Sequence, residues 1–200
     1  MPKVKIPRKS TSIDMTAMCD VAFLLLTFFM LTTKFKPDEV VVVDTPSSVS
    51  DVLLPETGIL MITIDKEENV YFGMDGQFTR AEVLEKMGER YKIAFTPAEV
   101  QAFSVVSSFG VPINSMKEFL AKTPEERNHI KYKGGIPCDS AKNELADWVI
   151  LSRQTNNKFN IAIKGDREAH YPIIKKVIEA LKSKKVNKFH FITNLEQAAE

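Results

Sequence analysis

Hydrophobic positions are distributed very unevenly along this chain, and the densest run lies near the N-terminus. From Val21 to Leu31 every residue is apolar except Thr27. A surface helix of a soluble protein shows an apolar stripe about 100° wide, whereas this run is apolar on every face. From Met15 to Thr33 a helix rising about 1.5 Å per residue runs about 28 Å, close to a hydrocarbon core of about 30 Å. The pattern predicts one membrane span, assigned to residues 13–34, with a tail at 1–12. Pro37 stops the helix because its ring breaks the hydrogen-bond ladder. A secretory leader is the first rival reading, but the run ends in Thr32-Thr33-Lys34-Phe35 without a small-x-small cleavage site. Cys19 precedes the apolar run where a lipoprotein cysteine would follow it.

Beyond the span the period changes. Val40, Val41, Val42 and Val43 stand between Glu39 and Asp44 and read as an isolated strand, followed by the turn-rich stretch Thr45 to Asp51. Residues 35–57 are therefore read as an extended linker. A strand with no hairpin partner needs an edge elsewhere, so Val40–Asp44 is a candidate partner-binding strand for a second copy or a client. From Gly58, Ile59–Ile64 and Asn69–Phe72 read as a hairpin across the polar turn 65–68. Thr79-Arg-Ala-Glu82 reads as a capping box opening a helix with Val83, Leu84 and Met87 on one face. Phe159–Lys164 reads as a strand, Pro172 opens a helix carrying Val177 and Leu181, and Lys188–Thr193 reads as a last strand.

The middle, residues 91–157, reads differently. Thr96-Pro-Ala-Glu99, Ser115-Met-Lys-Glu118 and Thr123-Pro-Glu-Glu126 are successive helix-start signatures. Lys133-Gly-Gly-Ile-Pro137 is a loop, and Asp139 or Ser140 is the expected cap of a helix with Leu145, Trp148, Val149 and Leu151. The expected fold is a single N-terminal transmembrane helix followed by an α/β domain over 58–195. That domain is a mixed sheet with helices on one face, carrying a helical insertion at 91–157 that is laid on it as a subdomain. Decoration or added stability is the role expected for this insertion, with partner choice as the functional alternative, since long insertions in compact domains are often functional.

Charge adds an orientation. Lys3, Lys5, Arg8 and Lys9 precede the span with no acid until Asp14, whereas Lys34 and Lys36 are followed at once by Asp38 and Glu39. The positive-inside bias places the N-terminus in the cytoplasm and the following domain outside. Net charge is +1, and no basic cluster past the tail suggests nucleic acid. The two cysteines, Cys19 and Cys138, fall in different compartments on this reading and cannot pair within one chain.

Within the span, Asp20 is the residue that carries chemistry. A carboxylate at mid-membrane costs about 2.5–3.5 kcal/mol on insertion scales, so it faces a partner or water. At about 100° per residue Thr16, Asp20, Leu24, Thr27 and Leu31 share one side of the helix, and Asp14 lies about 240° from Asp20 at the helix start. Two readings remain open on the residues alone. Asp20 is either an interhelical hydrogen bond that assists assembly, or a proton site that loads from one side and releases to the other. Either requires helices from other chains.

The run Asp14-x-Thr16-x-x-x-Asp20-Val21 followed by Leu24-Leu25-Leu26-x-Phe28-Phe29-Met30 resembles the transmembrane helix of the ExbD/TolR family, small subunits of proton-driven inner-membrane motors. Ile161-Ala-Ile-Lys-Gly-Asp166 and Tyr171 resemble that family's periplasmic domain. The resemblance implies proton translocation at Asp20, with Thr16 one turn before it and Thr27 on the same polar face. It implies ExbB/TolQ-like multi-span ring subunits, a TonB-like energy transducer and a second copy of the chain as partners, with protons as coupling ion and no cofactor. It also implies a single-pass protein of a bacterial inner membrane with a periplasmic C-terminal domain. The chain has Ala17 where many members have proline, and residues 91–157 replace what is usually a short connection. Asp166 is expected to bond backbone in a strand-to-helix turn with Tyr171 packed beneath. The alternative is a TolR-like or passive anchored binding module in which Asp20 serves helix assembly only.

An enzyme is not expected. His129, His170 and His190 have no metal-ligand spacing with one another or with Cys138, and neither a phosphate-binding glycine loop nor a nucleophile elbow occurs.

Overall fold

A computed structural model describes residues 15–33, 41, 43–48, 58–129, 132, 134–139 and 142–195. The chain divides into two compact units, residues 1–37 and 38–200. The first contains helix α1, Met15–Thr32, which buries none of its residues. It is long and apolar enough to cross a membrane by length and composition. Asp14 lies outside the described residues.

The second unit is built on a five-stranded sheet. Its strands are β2 (Ile59–Ile64), β3 (Val70–Met74), β4 (Ser108–Phe109), β7 (Asn160–Gly165) and β8 (His190–Ile192), in the order β4-β3-β2-β7-β8. β2 pairs antiparallel with β3 and parallel with β7, β3 pairs antiparallel with β4, and β7 pairs parallel with β8. The sheet is therefore mixed. Register explains which face is inside. Leu60, Ile62 and Ile64 lie opposite Met74, Phe72 and Val70 on one side, and Leu60 and Ile62 lie opposite Ile161 and Ile163 on the other. Because side chains alternate along a strand, all eight point to one face, and all are buried.

That face is covered by α2 (Gln77–Tyr91), α6 (Glu144–Thr155) and α7 (Tyr171–Ser183). Val83, Leu84 and Met87 of α2, Leu145, Trp148 and Val149 of α6, and Val177 and Leu181 of α7 join the sheet residues in one cluster. On the opposite face Ile59, Met61 and Thr63 remain half-exposed.

The segment 91–157 is not separable from this core. It contains α3 (Pro97–Ser104), a short 3-10 turn at 113–115, α4 (Met116–Ala121), α5 (Pro124–His129), and a small hairpin of β5 (Cys138–Asp139) with β6 (Lys142–Asn143). It also supplies β4 to the sheet edge and α6 to the helical layer. Trp148 packs against Phe109 at 4.9 Å and Phe103 at 5.8 Å between ring centroids, and against Phe72 of β3 at 6.3 Å. A subdomain laid on a finished sheet would not fill that sheet's own core.

Local signals succeeded where the partner is close in sequence. Thr96 and Glu99 form the full reciprocal capping box, and Thr123 and Glu126 exchange the same pair of bonds at 3.0 and 3.4 Å. Three caps differ from expectation. α2 starts at Gln77, two residues before Thr79, because Gly76 at φ 90 turns the chain straight from β3 into the helix. Ser115 ends the 3-10 turn without a side-chain cap bond. For α6 the cap is Asn143, whose side chain accepts from Ala146 N. Asp139 is occupied in β5, and Ser140 lies outside the described residues.

Glu144, the first residue of α6, is 5% exposed, and its Oε2 accepts a 2.8 Å bond from Ile113 N. Burial pushes its pKa up, partly offset by that bond. The folded form therefore holds its proton more tightly than the unfolded chain. The stability contributed by protonated Glu144 is complete below the ordinary value of 4.5 and is lost as pH rises through the folded-state value. Glu144→Gln keeps an acceptor for Ile113 and removes the charge. Its melting temperature is expected to match wild type near pH 4 and exceed it near pH 7, as thermal unfolding at the two pH values would read.

Candidate functional site

The residues singled out for chemistry lie on α1. Its large apolar side chains from Met15 to Leu31 are exposed all round the helix, several by more than 60%. No water-facing helix sustains that surface, so it requires lipid or partner helices around it. Against this background the polar groups fall into two kinds. Thr27 Oγ1 donates to Leu24 O at 2.9 Å and Phe23 O at 3.0 Å, and Thr32 and Thr33 donate back to carbonyls of the preceding turn. These hydroxyls are satisfied by their own helix and tolerate an apolar environment.

Asp20 is of the other kind. Its side chain is exposed on the helix surface, and among the described residues it has no hydrogen-bonding or ionic partner. A carboxylate can only accept, and the helix offers it no spare donor beyond its own first turn. Thr16 sits one turn before Asp20 and Thr27 about two turns after it, about 10 Å along the axis. The helix places the three on one side without joining them. Thr27 does not touch Asp20, so any chain of proton transfer between them needs groups from another helix.

The linker is placed differently from the sequence expectation. Val40 and Val42 lie outside the described residues, and residues 43–46 form no strand. Val43 and Thr45 are each 6% exposed, against the domain rather than a free edge. Asp44 N donates to Asp166 Oδ2 at 3.2 Å, and Arg167 N donates to Asp44 O at 2.7 Å. Farther on, β1 (Ser47–Ser48) pairs parallel with β9 (Asn194–Leu195). Of the segment Val40–Asp44, the described end at Val43 and Asp44 is held by its own domain.

Asp166 carries much of this anchorage. Its Oδ1 accepts from Glu168 N at 2.9 Å, holding the strand-to-helix turn, while Oδ2 holds Asp44. The expected turn role is present, and the contact to Asp44 across 122 residues is added to it. No local pattern signals a contact of that separation. Tyr171, expected beneath this turn, is 71% exposed because it opens α7 on the solvent side. Asp166→Ala is expected to raise hydrogen exchange at Asp44 and Arg167 by about ten- to a hundredfold, as one charge-assisted bond is worth about 1.5–3 kcal/mol. Mass-spectrometric exchange would read it, and unchanged protection of the 43–48 peptide would contradict the anchoring role.

Among the described residues no group of three or more His, Cys, Asp or Glu is arranged to hold a metal ion. A protein-family model described as biopolymer transport protein ExbD/TolR matches residues 7–196. No curated protein and no solved structure matches the chain.

Proposed function

The chain belongs to the ExbD/TolR family, and from that premise we propose that it is the proton-carrying subunit of an inner-membrane motor acting on an envelope-spanning transducer. Members of the family are non-enzymatic energy-coupling proteins of biopolymer transport, anchored in the inner membrane by one N-terminal helix. They generally work with ExbB/TolQ and TonB/TolA-like partners. The finer reading rests on one observation. Asp20 is an ionisable group on an otherwise apolar helix surface, with no partner among the described residues.

A group so placed is stabilised only by what a surrounding ring supplies. If the ring offers water on one side and then the other as α1 turns within it, Asp20 takes up a proton from the periplasmic side and releases it to the cytoplasm. One charge crossing about 100 mV yields about 2.3 kcal/mol. Among the described residues no metal cluster offers another use for it, and the energy leaves through the outer domain as movement. The basic residues before the span support a cytoplasmic N-terminus and a periplasmic domain.

Val40–Asp44 is the segment we assign to partner contact. Strand addition there must first break the bonds between Asp44 and the 166–167 turn. ExbD-like work on a TonB-like client is the reading we adopt over a TolR-like one. The test is co-purification of a multi-span ring partner with the wild-type chain and with Asp20→Asn, joined to an assay of energy-dependent uptake. Retention of the partner with loss of uptake is the expected result. Full uptake by the variant would overturn the proposal.

A further inference from the structure

The outer domain holds a cavity of about 850 Å³ between the end of α2, the β5–β6 hairpin, the start of α6 and the end of α7. Its wall is polar and of mixed charge, unlike a packing void, which is apolar. Two of its acids are buried, Glu144 at 5% and Asp147 at 8% exposure. Asp147 is already compensated. Its Oδ1 lies 2.9 Å from Arg90 Nη2 and 4.0 Å from Lys184 Nζ, and its Oδ2 accepts from Tyr91 Oη at 2.9 Å. Glu144 is compensated only in part: its Oε2 accepts from Ile113 N and the Lys142 ammonium favours its charged form from a distance, but among the described residues it has no ion pair. Lys142, Lys176 and Lys184 stand around the same space, with Lys176 on Asp139 at 3.5 Å and 57% exposed.

This arrangement discriminates among ligand classes. A simple anion would meet the carboxylates of Glu144 and Asp147. A simple cation would pass three lysines, and a divalent metal lacks a third ligand among the described residues. Burying a carboxylate without a counter-charge is costly, and an ammonium beside Glu144 removes that cost. The lysines at the mouth are suited to a carboxylate. We propose that this cavity binds a small zwitterion, an amino acid or short peptide, with its ammonium on Glu144 and its carboxylate toward Lys142 and Lys176. Burial already holds the Glu144 pKa above its ordinary value, the state expected of an acid awaiting a cationic partner. Nothing in this inference depends on Asp20.

The test uses full-length protein in detergent and isothermal titration with dialanine, N-acetyl-dialanine and dialanine amide. Dialanine is expected to bind with 1:1 stoichiometry, and loss of either charge should weaken binding at least tenfold. Glu144→Gln should weaken dialanine at least tenfold without lowering the melting temperature. Lys142→Gln, at an exposed position that cannot unfold the core, should weaken dialanine and leave dialanine amide unchanged. Absence of binding at about 50 mM dialanine overturns the proposal. So does equal binding of the N-acetylated peptide, or full affinity in the Glu144 variant. If free alanine binds as tightly as dialanine, the ligand is a single amino acid; if it does not, the site reads a peptide.

Discussion

Replacing Asp20 with asparagine is expected to abolish energy-coupled activity while the chain still inserts and assembles. Asparagine matches aspartate in size and keeps one acceptor, so any interhelical bond that Asp20 accepts survives. What it loses is the ability to alternate between charged and neutral forms. The motor reading requires that alternation in each cycle, so activity should fall to the level of cells lacking the protein. Asp20→Glu retains titration with the carboxyl one methylene farther out and should retain partial activity. That pair of variants separates proton carriage from packing. If Asp20 only fastens helices together, Asp20→Asn should support uptake at wild-type level and Asp20→Glu should be no better. The measurement is proton-dependent uptake alongside recovery of the intact complex.

The second large effect is on stability. Trp148→Ala is expected to cost about 3–5 kcal/mol, the usual range for removing a fully buried aromatic. Domains of this size are stable by about 5–15 kcal/mol, so the variant should approach the threshold of unfolding. The loss arises because Trp148 contacts Phe72 of the sheet as well as Phe103 and Phe109 of the segment 91–157. Phe78→Ala is the matched control, since Phe78 is 93% exposed, and it should change stability by less than about 0.5 kcal/mol. Chemical denaturation followed by circular dichroism would read both. A sheet domain that stays intact in Trp148→Ala would mean the inserted helices are separable after all.

The contrast between these variants marks how far a linear reading reaches. Asp20 stands out in the sequence because its environment is set by its immediate neighbours, an apolar run long enough to cross a membrane. The hairpin 59–72, the Thr96 and Thr123 caps and the Pro172 helix start were legible for the same reason. Each depends on bonds between residues a few positions apart. Asp65 and Asn69 show the limit of that range. Their bonds close the hairpin turn locally, but Asn69 Oδ1 also accepts from Gly134 N, 65 residues away.

Other features depend on distance. The α6 cap passed from Asp139 to Asn143 because the hairpin β5–β6 pairs Asp139 with Lys142 and delivers Asn143 to the helix start. The bonds of Asp44 to the 166–167 turn join residues 122 positions apart, beyond the reach of any local pattern. Glu144 reads as an ordinary charged first-turn residue until α6 is known to press it beneath Ile113.

By itself the sequence determined the apolar helix and the place of Asp20 within it, the positive flank that supports its orientation, and the periods of the main strands and helices. These are one-dimensional quantities, fixed by composition and by spacing within a turn or two. Only the tertiary structure decided that residues 91–157 complete the core, that Asp166 clamps the linker, and that Glu144 lines a cavity of mixed charge. Each of those comes from chain closure over tens of residues, where burial and pairing are set by the packing of the whole domain.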